Sequence, residues 1–80
     1  MIVSIKGVLA KKKPNEIIIE TGGLGYACSI STNTYDKLPN IGNKVSLITY
    51  FHVIENNQSL FAFSEEKERE LFLMLIGVSG

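Results

Sequence analysis

Residues 16–30 read EIIIETGGLGYACSI, two runs of alternating side chains on either side of a glycine pair. In the first run Ile17 and Ile19 share one face and the flanking glutamates take the other, which is the pattern of a half-buried strand. Gly22-Gly23 is a connection short enough for a β-hairpin. The second run puts every other side chain on one side, and these are Leu24, Tyr26, Cys28 and Ile30. We therefore predict an antiparallel meander here.

The segments on both sides of this hairpin continue the strand pattern. Alternation and β-branched residues predict a strand over residues 2–10, followed by a turn at Lys13-Pro14-Asn15. The longest strand is predicted over residues 44–54, and a turn at Asn56-Asn57 returns the chain into a last strand over residues 59–63. The sequence thus predicts five strands.

Two helices accompany these strands. Ser31-Thr32-Asn33 can cap a short helix that Pro39 ends, and Ser64 is predicted to cap a second helix that is apolar over residues 71–76. A short helix between the third and fourth of five strands predicts a mainly β fold, the five-stranded Greek-key barrel of the OB type. An SH3-like barrel is the nearest alternative. The outward face of the long strand is too apolar for open solvent, so the terminal helix or another subunit should cover Ile48, Tyr50 and Ile54.

Composition narrows the class of protein. Eighty residues with 45% hydrophobic content are enough for one small globular domain. No apolar run approaches the ~18 residues of a membrane span, and the N-terminus lacks the pattern of a signal peptide. A single cysteine cannot form an internal disulfide, so we expect a cytoplasmic protein. Eight basic and eight acidic residues leave no net charge, which by itself is weak support for nucleic-acid binding.

The residues offer little for catalysis, metals or cofactors. A strand follows Gly22-Gly23-Leu24-Gly25, whereas nucleotide-binding glycine loops open a helix, so we interpret these glycines as a structural turn. Cys28 falls among core positions, and one cysteine with one histidine, His52, supplies too few ligands for a closed zinc site. We expect no catalytic residue, no metal and no cofactor. An enzyme is the weakest of the functional interpretations.

Two polar segments are candidates for contact with DNA. Lys11, Lys12 and Lys13 are predicted at a hairpin tip, where they are either solvated turn residues or phosphate contacts. The tip of the long hairpin presents Glu55 and Asn56 where an ordinary turn would have Asn-Gly or Asp-Gly. A carboxylate that projects toward DNA would repel phosphates and could hold strands apart.

The last segment predicts a second unit. Gly77-Val78-Ser79-Gly80 follows the apolar end of the helix, and such a turn can cap a helix or can begin a helix-hairpin-helix motif that points backbone N–H groups at a phosphate. We therefore predict a barrel domain over residues 1–63 and the start of a helix-hairpin-helix domain over residues 64–80. Ser79 and Gly80 would contact the DNA backbone in that motif. The chain is expected to be the front piece of a longer DNA-binding protein.

With these residues assembled, the chain resembles the RuvA family of Holliday junction branch migration subunits along its full length. The matches are Met1-Ile2, Gly7, Gly22-Gly23-Leu24-Gly25-Tyr26, Thr34-Tyr35, Leu38-Pro39, Gly42, Phe51, Glu55, Gln58, Leu60-Phe61-Ala62-Phe63, Glu68-Arg69, Leu71-Phe72 and Val78-Ser79-Gly80. The Gly-Gly-x-Gly-Tyr loop and the Glu-Arg-x-Leu-Phe helix are specific when they occur together at this spacing.

The resemblance implies an OB-fold domain, two helix-hairpin-helix motifs and a flexibly linked domain that binds the motor RuvB, which supplies the ATP hydrolysis. It implies a non-catalytic subunit that forms homotetramers and holds a four-way DNA junction in a square-planar shape during recombination and repair. Glu55 takes one position of the family's acidic pin, while Asn56 stands where many relatives carry a second acid. Without the later domains, this segment should bind junctions poorly and should not engage RuvB.

Two other functions remain open from the residues. A generic OB-fold binder of single-stranded nucleic acid would expose Tyr50, and with it Tyr26, as stacking platforms on a groove. A pure assembly module would use Ile48, Tyr50 and Ile54 as a subunit interface and would not touch DNA.

Overall fold

The computed structural model describes residues 3–77, and at Ile54 only the backbone. Five strands and two helices follow one another along the chain: β1 Ser4–Lys13, β2 Glu16–Thr21, β3 Leu24–Ser29, α1 Thr32–Asp36, β4 Lys44–Ile54, β5 Asn57–Phe63 and α2 Glu66–Leu75. The strand content and the short helix between β3 and β4 confirm the mainly β prediction.

The strands close into a barrel in the order β1-β2-β3-β5-β4. Neighbours run antiparallel except β3 and β5, which meet in parallel at Ser29 and Phe61. The first strand closes the barrel because it serves two partners: Ser4 to Val8 pair with β4, while Val8 to Lys13 pair with β2. This is the predicted OB arrangement.

Two features let β1 bend between its partners. The register shifts between Leu9 and Lys11, a β-bulge that increases local twist. At Gly7 the strands approach so closely that a Cβ atom would lie 2.3 Å from the carbonyl oxygen of Glu20. Only glycine permits that crossing without a shift of the backbone.

The barrel interior holds the side chains that alternation placed there. Ile17, Ile19 and Cys28 are fully buried, as predicted, together with Leu9 and Ala62. Leu24 departs from its predicted inner face and is 60% exposed, because it pairs with Thr21 at the end of the hairpin, beyond the layer that the barrel encloses.

The shorter helix closes one side of the barrel. Ser31 is its N-cap, as predicted, and its hydroxyl accepts a hydrogen bond from the Thr34 N–H at 3.1 Å. Thr34 itself is fully buried, so α1 is fixed to the barrel by a polar residue.

The prediction that Ser64 caps α2 is wrong. The N-cap is Glu65, whose side chain makes no capping bond, and the Ser64 N–H instead donates to the Thr34 hydroxyl at 3.2 Å. α2 therefore begins without a side-chain cap, and the residue before its N-cap is held by a tertiary contact with α1. Among residues 3–77, neither helix is long and apolar enough to cross a lipid bilayer.

Candidate nucleic-acid interface

The β4–β5 hairpin forms a projecting ribbon. Its outermost pair is Ile54 with Asn57, so the turn residues are Glu55 and Asn56, one position earlier than the predicted Asn56-Asn57 turn. Leu60, paired with Phe51, is the last buried residue before the tip. Three more residues of β4 extend past that pair, or roughly 10 Å of strand.

The tip carries one carboxylate in open solvent. Glu55 and Asn56 are both exposed, as are the two residues that follow them. Glu55 has φ 54°, the one positive value outside glycine among residues 3–77. A positive φ at the first of two turn residues is the pattern of a type II′ turn, which normally has glycine at that position. A glutamate held there carries backbone strain, and such strain clusters at functional sites.

An aromatic cluster supports the base of this ribbon. The Phe72 ring of α2 lies 4.8 Å from Phe61, 5.3 Å from Phe63 and 6.2 Å from Tyr50, centroid to centroid. His52 extends the cluster toward the tip, with its ring 5.6 Å from that of Tyr50. Of the two predicted covers for the outward face of β4, the terminal helix and another subunit, the structure shows the terminal helix over Tyr50.

The polar side of α2 meets α1 through Glu68. One carboxylate oxygen accepts from the Ser31 hydroxyl at 2.8 Å and from the Asn33 amide at 3.1 Å, and the other accepts from the Thr34 hydroxyl at 2.5 Å. Burial alone would raise the pKa of the Glu68 carboxyl, but these hydrogen bonds and the positive charge of Lys37 outweigh it and lower the pKa. Lys37 also forms an ion pair with Glu65.

Sequence reasoning missed this Glu68 network. Its members are 34 to 37 residues apart, and no local pattern connects them. Only the tertiary packing of α2 on α1 brings them together.

The three consecutive lysines do not form a hairpin tip. They end β1, and the turn itself is Pro14-Asn15. Lys11 and Lys13 are exposed on one face of the strand, while Lys12 points the other way and is half-buried. Strand alternation separates residues that the sequence shows as one cluster.

The end of α2 bears out the predicted helix cap. Gly77 has φ 83°, and its N–H donates to the Met74 carbonyl at 3.2 Å. The predicted backbone contacts at Ser79 and Gly80 lie outside the described residues.

The one cysteine of the chain lies in the barrel core. Cys28 is fully buried, and its burial, followed by the charge of Glu16, raises the pKa of the thiol to about 11. A thiol in that state is a weak nucleophile at neutral pH. Residues 3–77 contain no group of three or more His, Cys, Asp or Glu side chains arranged to hold a metal ion.

The sequence of this chain matches a known protein family. The family model described as "RuvA N terminal domain" matches residues 1–62. The chain belongs to the RuvA family. That match covers β1 to β4 and β5 as far as Ala62, so the tip of the β4–β5 hairpin lies within the family model. The predicted domain boundary at residues 63 and 64 stays a prediction.

Relatives extend the match through α2. RuvA of Geobacter metallireducens is 48% identical, that of Saccharophagus degradans 45% and that of Solibacter usitatus 42%, each over all 80 residues of this chain. All three are described as Holliday junction branch migration complex subunits. The chain spans about two fifths of their lengths, 40%, 39% and 41% respectively.

Proposed function

We propose that this RuvA-family chain is the junction-recognition portion of a non-catalytic subunit that holds a four-way DNA junction during branch migration in recombination and repair. The observation that carries the proposal is the identity of 42–48% along the whole chain to RuvA subunits of branch migration complexes. The exposed carboxylate at the hairpin tip supports it, because the barrel presents Glu55 well beyond its own core.

The proposed role of the hairpin is electrostatic and mechanical. A carboxylate 4 Å from a phosphate is repelled by about 1 kcal/mol in bulk water, rising to about 4 kcal/mol at the effective dielectric constant of a protein surface. Placed at the crossover, Glu55 would disfavour re-pairing of the strands that pass beside it. Asn56 adds no charge, so this pin is weaker than a doubly acidic one.

The remaining contacts of the complex are also proposals. Exposed Lys11 and Lys13 are available for phosphate contact, whereas Lys12 is engaged within the barrel domain. Ser79 and Gly80 would begin the first backbone-binding hairpin. RuvB would supply the ATP hydrolysis. Its binding site would lie in the part of the relatives' sequences that this chain does not match.

Homotetramer formation belongs to the same proposal. The outer face of α2 exposes large apolar side chains, which favours contact with more protein: Leu71 (56%), Met74 (73%) and Leu75 (76%). A single-strand binder is less well supported, because Tyr50 packs between His52 and Phe72 and is no open stacking platform.

The test compares DNA shapes at one salt concentration. The protein, produced to the length of its relatives, should bind an immobile four-way junction at least tenfold more tightly than linear duplex or single strands of the same sequence. Equal affinity for junction and linear duplex would overturn the proposal. Tighter binding to single strands, with loss of that binding in Tyr50→Ala, would favour the alternative.

A further inference from the structure

The α2 helix is fixed to the barrel by one side only. It has no fully buried residue, and its outer face is open to solvent. Four of its side chains are half-buried, namely Glu68, Arg69, Phe72 and Leu73. Two of these, one helical turn apart, make the hydrogen bonds and ring contacts described above: Glu68 in the first turn and Phe72 in the next. The direction of α2 therefore rests on few interactions, and each should matter.

These two anchors differ in what they can determine. The Phe72 ring sits among three other aromatic rings with centroids 4.8 to 6.2 Å away. Aromatic contacts have preferred but broad geometries, so they hold the helix close while they constrain its angle less than hydrogen bonds do. Hydrogen bonds to a carboxylate are directional and charge-assisted.

The Glu68 contact is built on a rigid support. Ser31 is already the N-cap of α1, and Thr34 is fully buried and also accepts from the Ser64 N–H. The donors are thus positioned before Glu68 arrives. The Thr34 hydroxyl therefore contacts two points of the chain: Ser64, where the chain leaves β5, and Glu68, in the first turn of α2.

We propose that Glu68 is a positioning residue: its hydrogen bonds to Ser31, Asn33 and Thr34 set the angle of α2 against the β4–β5 hairpin. This rests on the proposed function, in which the chain beyond Gly77 grips the DNA backbone while Glu55 stands at the crossover. From Glu68 to Leu75, the last residue of α2, the helix advances about 10 Å at 1.5 Å per residue. A 10° swing about Glu68 would displace that end by roughly 2 Å, enough to misplace a hydrogen bond to phosphate.

Three variants separate this role from a general loss of charge. Glu68→Ala removes all of the hydrogen bonds, and Glu68→Gln keeps the shape but replaces one acceptor oxygen by a donor. Glu70→Gln is the matched control: it makes the same chemical change two residues along α2, at an exposed side chain for which the described residues show no hydrogen bond or ion pair.

The first readout is structural and needs no DNA. Spin labels at Gln58→Cys and Met74→Cys, both exposed positions, report the distance between the hairpin and α2. Native Cys28 can stay, because its burial keeps it from the label. Glu68→Ala should broaden or shift the distance distribution, Glu68→Gln should do so less, and Glu70→Gln should match the parent. An unchanged distribution in Glu68→Ala overturns the proposal, and the milder Glu68→Gln decides if the alanine variant fails to fold.

The second readout is affinity for the four-way junction in the longer protein. Glu68→Ala should bind about fivefold to thirtyfold more weakly, as expected when 1–2 kcal/mol of ordering is lost. A changed label distance with unchanged junction affinity would overturn the positioning role. If the unmodified protein shows no preference for junctions, the proposed function fails, while the label distances still decide whether Glu68 sets the angle of α2.

Discussion

The ammonium nitrogen of Lys12 lies 4.9 Å from the centroid of the Tyr35 ring, so the end of β1 is tied to α1 by a cation–π contact. The same nitrogen donates a hydrogen bond to the Pro39 carbonyl at 3.4 Å. Lys12 is thus a structural residue between two lysines that are exposed. The basic cluster of the sequence is therefore one lysine held by the fold and two lysines in solvent.

Replacing Lys12 should therefore affect folding more than DNA binding. The loss of a cation–π contact at a partly exposed site costs about 0.5–1 kcal/mol. For a domain of this size, Lys12→Ala should lower the melting temperature by roughly 2–8 °C. Lys11→Ala, the control, should leave it unchanged and should instead reduce the salt dependence of junction binding if Lys11 contacts a phosphate. If Lys11→Ala lowers the melting temperature and Lys12→Ala does not, the two side chains exchange roles in solution.

Replacing Glu55 should separate backbone strain from charge. Glu55→Gly relieves the positive φ and should raise the free energy of unfolding by up to about 1 kcal/mol, whereas Glu55→Gln keeps the strain and should leave stability nearly unchanged. Both variants lose the carboxylate, so both should slow RuvB-driven branch migration. Denaturant titration and a branch-migration assay measure the two effects. Normal migration by either variant would show that the charge has no role.

Restoring a second acid at the tip should strengthen the pin. Asn56→Asp doubles the charge there, so junction affinity should fall a few-fold at low salt and strand separation should increase. The effect should fade as salt rises, because screening shortens the reach of exposed charges to about 3 Å at 1 M. Asn40→Asp, at an exposed position in the loop between α1 and β4, is the control. Equal effects of the two variants would point to net charge and not to position.

The crossing at Gly7 predicts a sharp stability difference between two strand glycines. A Cβ at Gly7 would meet backbone, 2.3 Å from the Glu20 oxygen, whereas a Cβ at Gly25 would meet only the end of the Ile18 side chain at 3.4 Å. Gly7→Ala should therefore lower the free energy of unfolding by about 2–3 kcal/mol, and Gly25→Ala by less than 1 kcal/mol. Denaturation curves of the two variants, compared directly, give the answer. Similar losses would mean that β1 and β2 can move apart cheaply.

The sequence predicted the barrel because its signals are local. Alternation in the runs around Gly22-Gly23 predicted the inward side chains except Leu24, and Ser31 and Gly77 marked helix ends through bonds to nearby backbone. These features depend on the chain within a few residues. They could therefore be predicted without knowledge of the tertiary packing.

The candidate site was harder to predict because its details depend on contacts between residues that are far apart in sequence. The exposed Glu55 was evident as a carboxylate at a hairpin tip, but its positive φ depends on a turn one residue earlier than predicted. Ser64 is a residue type that caps helices, but α2 begins one residue later than predicted, and the Ser64 N–H bonds to Thr34, 30 residues away. Lys12 and Glu68 gained their roles in the same way, from α1. For each of these residues, contact with α1 determined a role that the neighbouring sequence did not indicate.

The acid stability of the domain should reveal Glu68 directly. Because the folded-state pKa of Glu68 lies below its usual value of about 4.3, the ionised carboxylate stabilises the fold above that value, and the contribution disappears as pH falls through the folded-state pKa. The charged groups that face this carboxylate from α1 and from the start of α2 are Lys37 and its ion-pair partner Glu65. The parent should accordingly be more stable than Glu68→Gln at pH 7, with a difference that narrows below about pH 4.5 and is gone once the carboxyl is protonated. Paired denaturant titrations from pH 7 to pH 3, with Glu70→Gln as control, measure it. A gap that stays constant across that range would mean that the Glu68 hydrogen bonds do not depend on its charge.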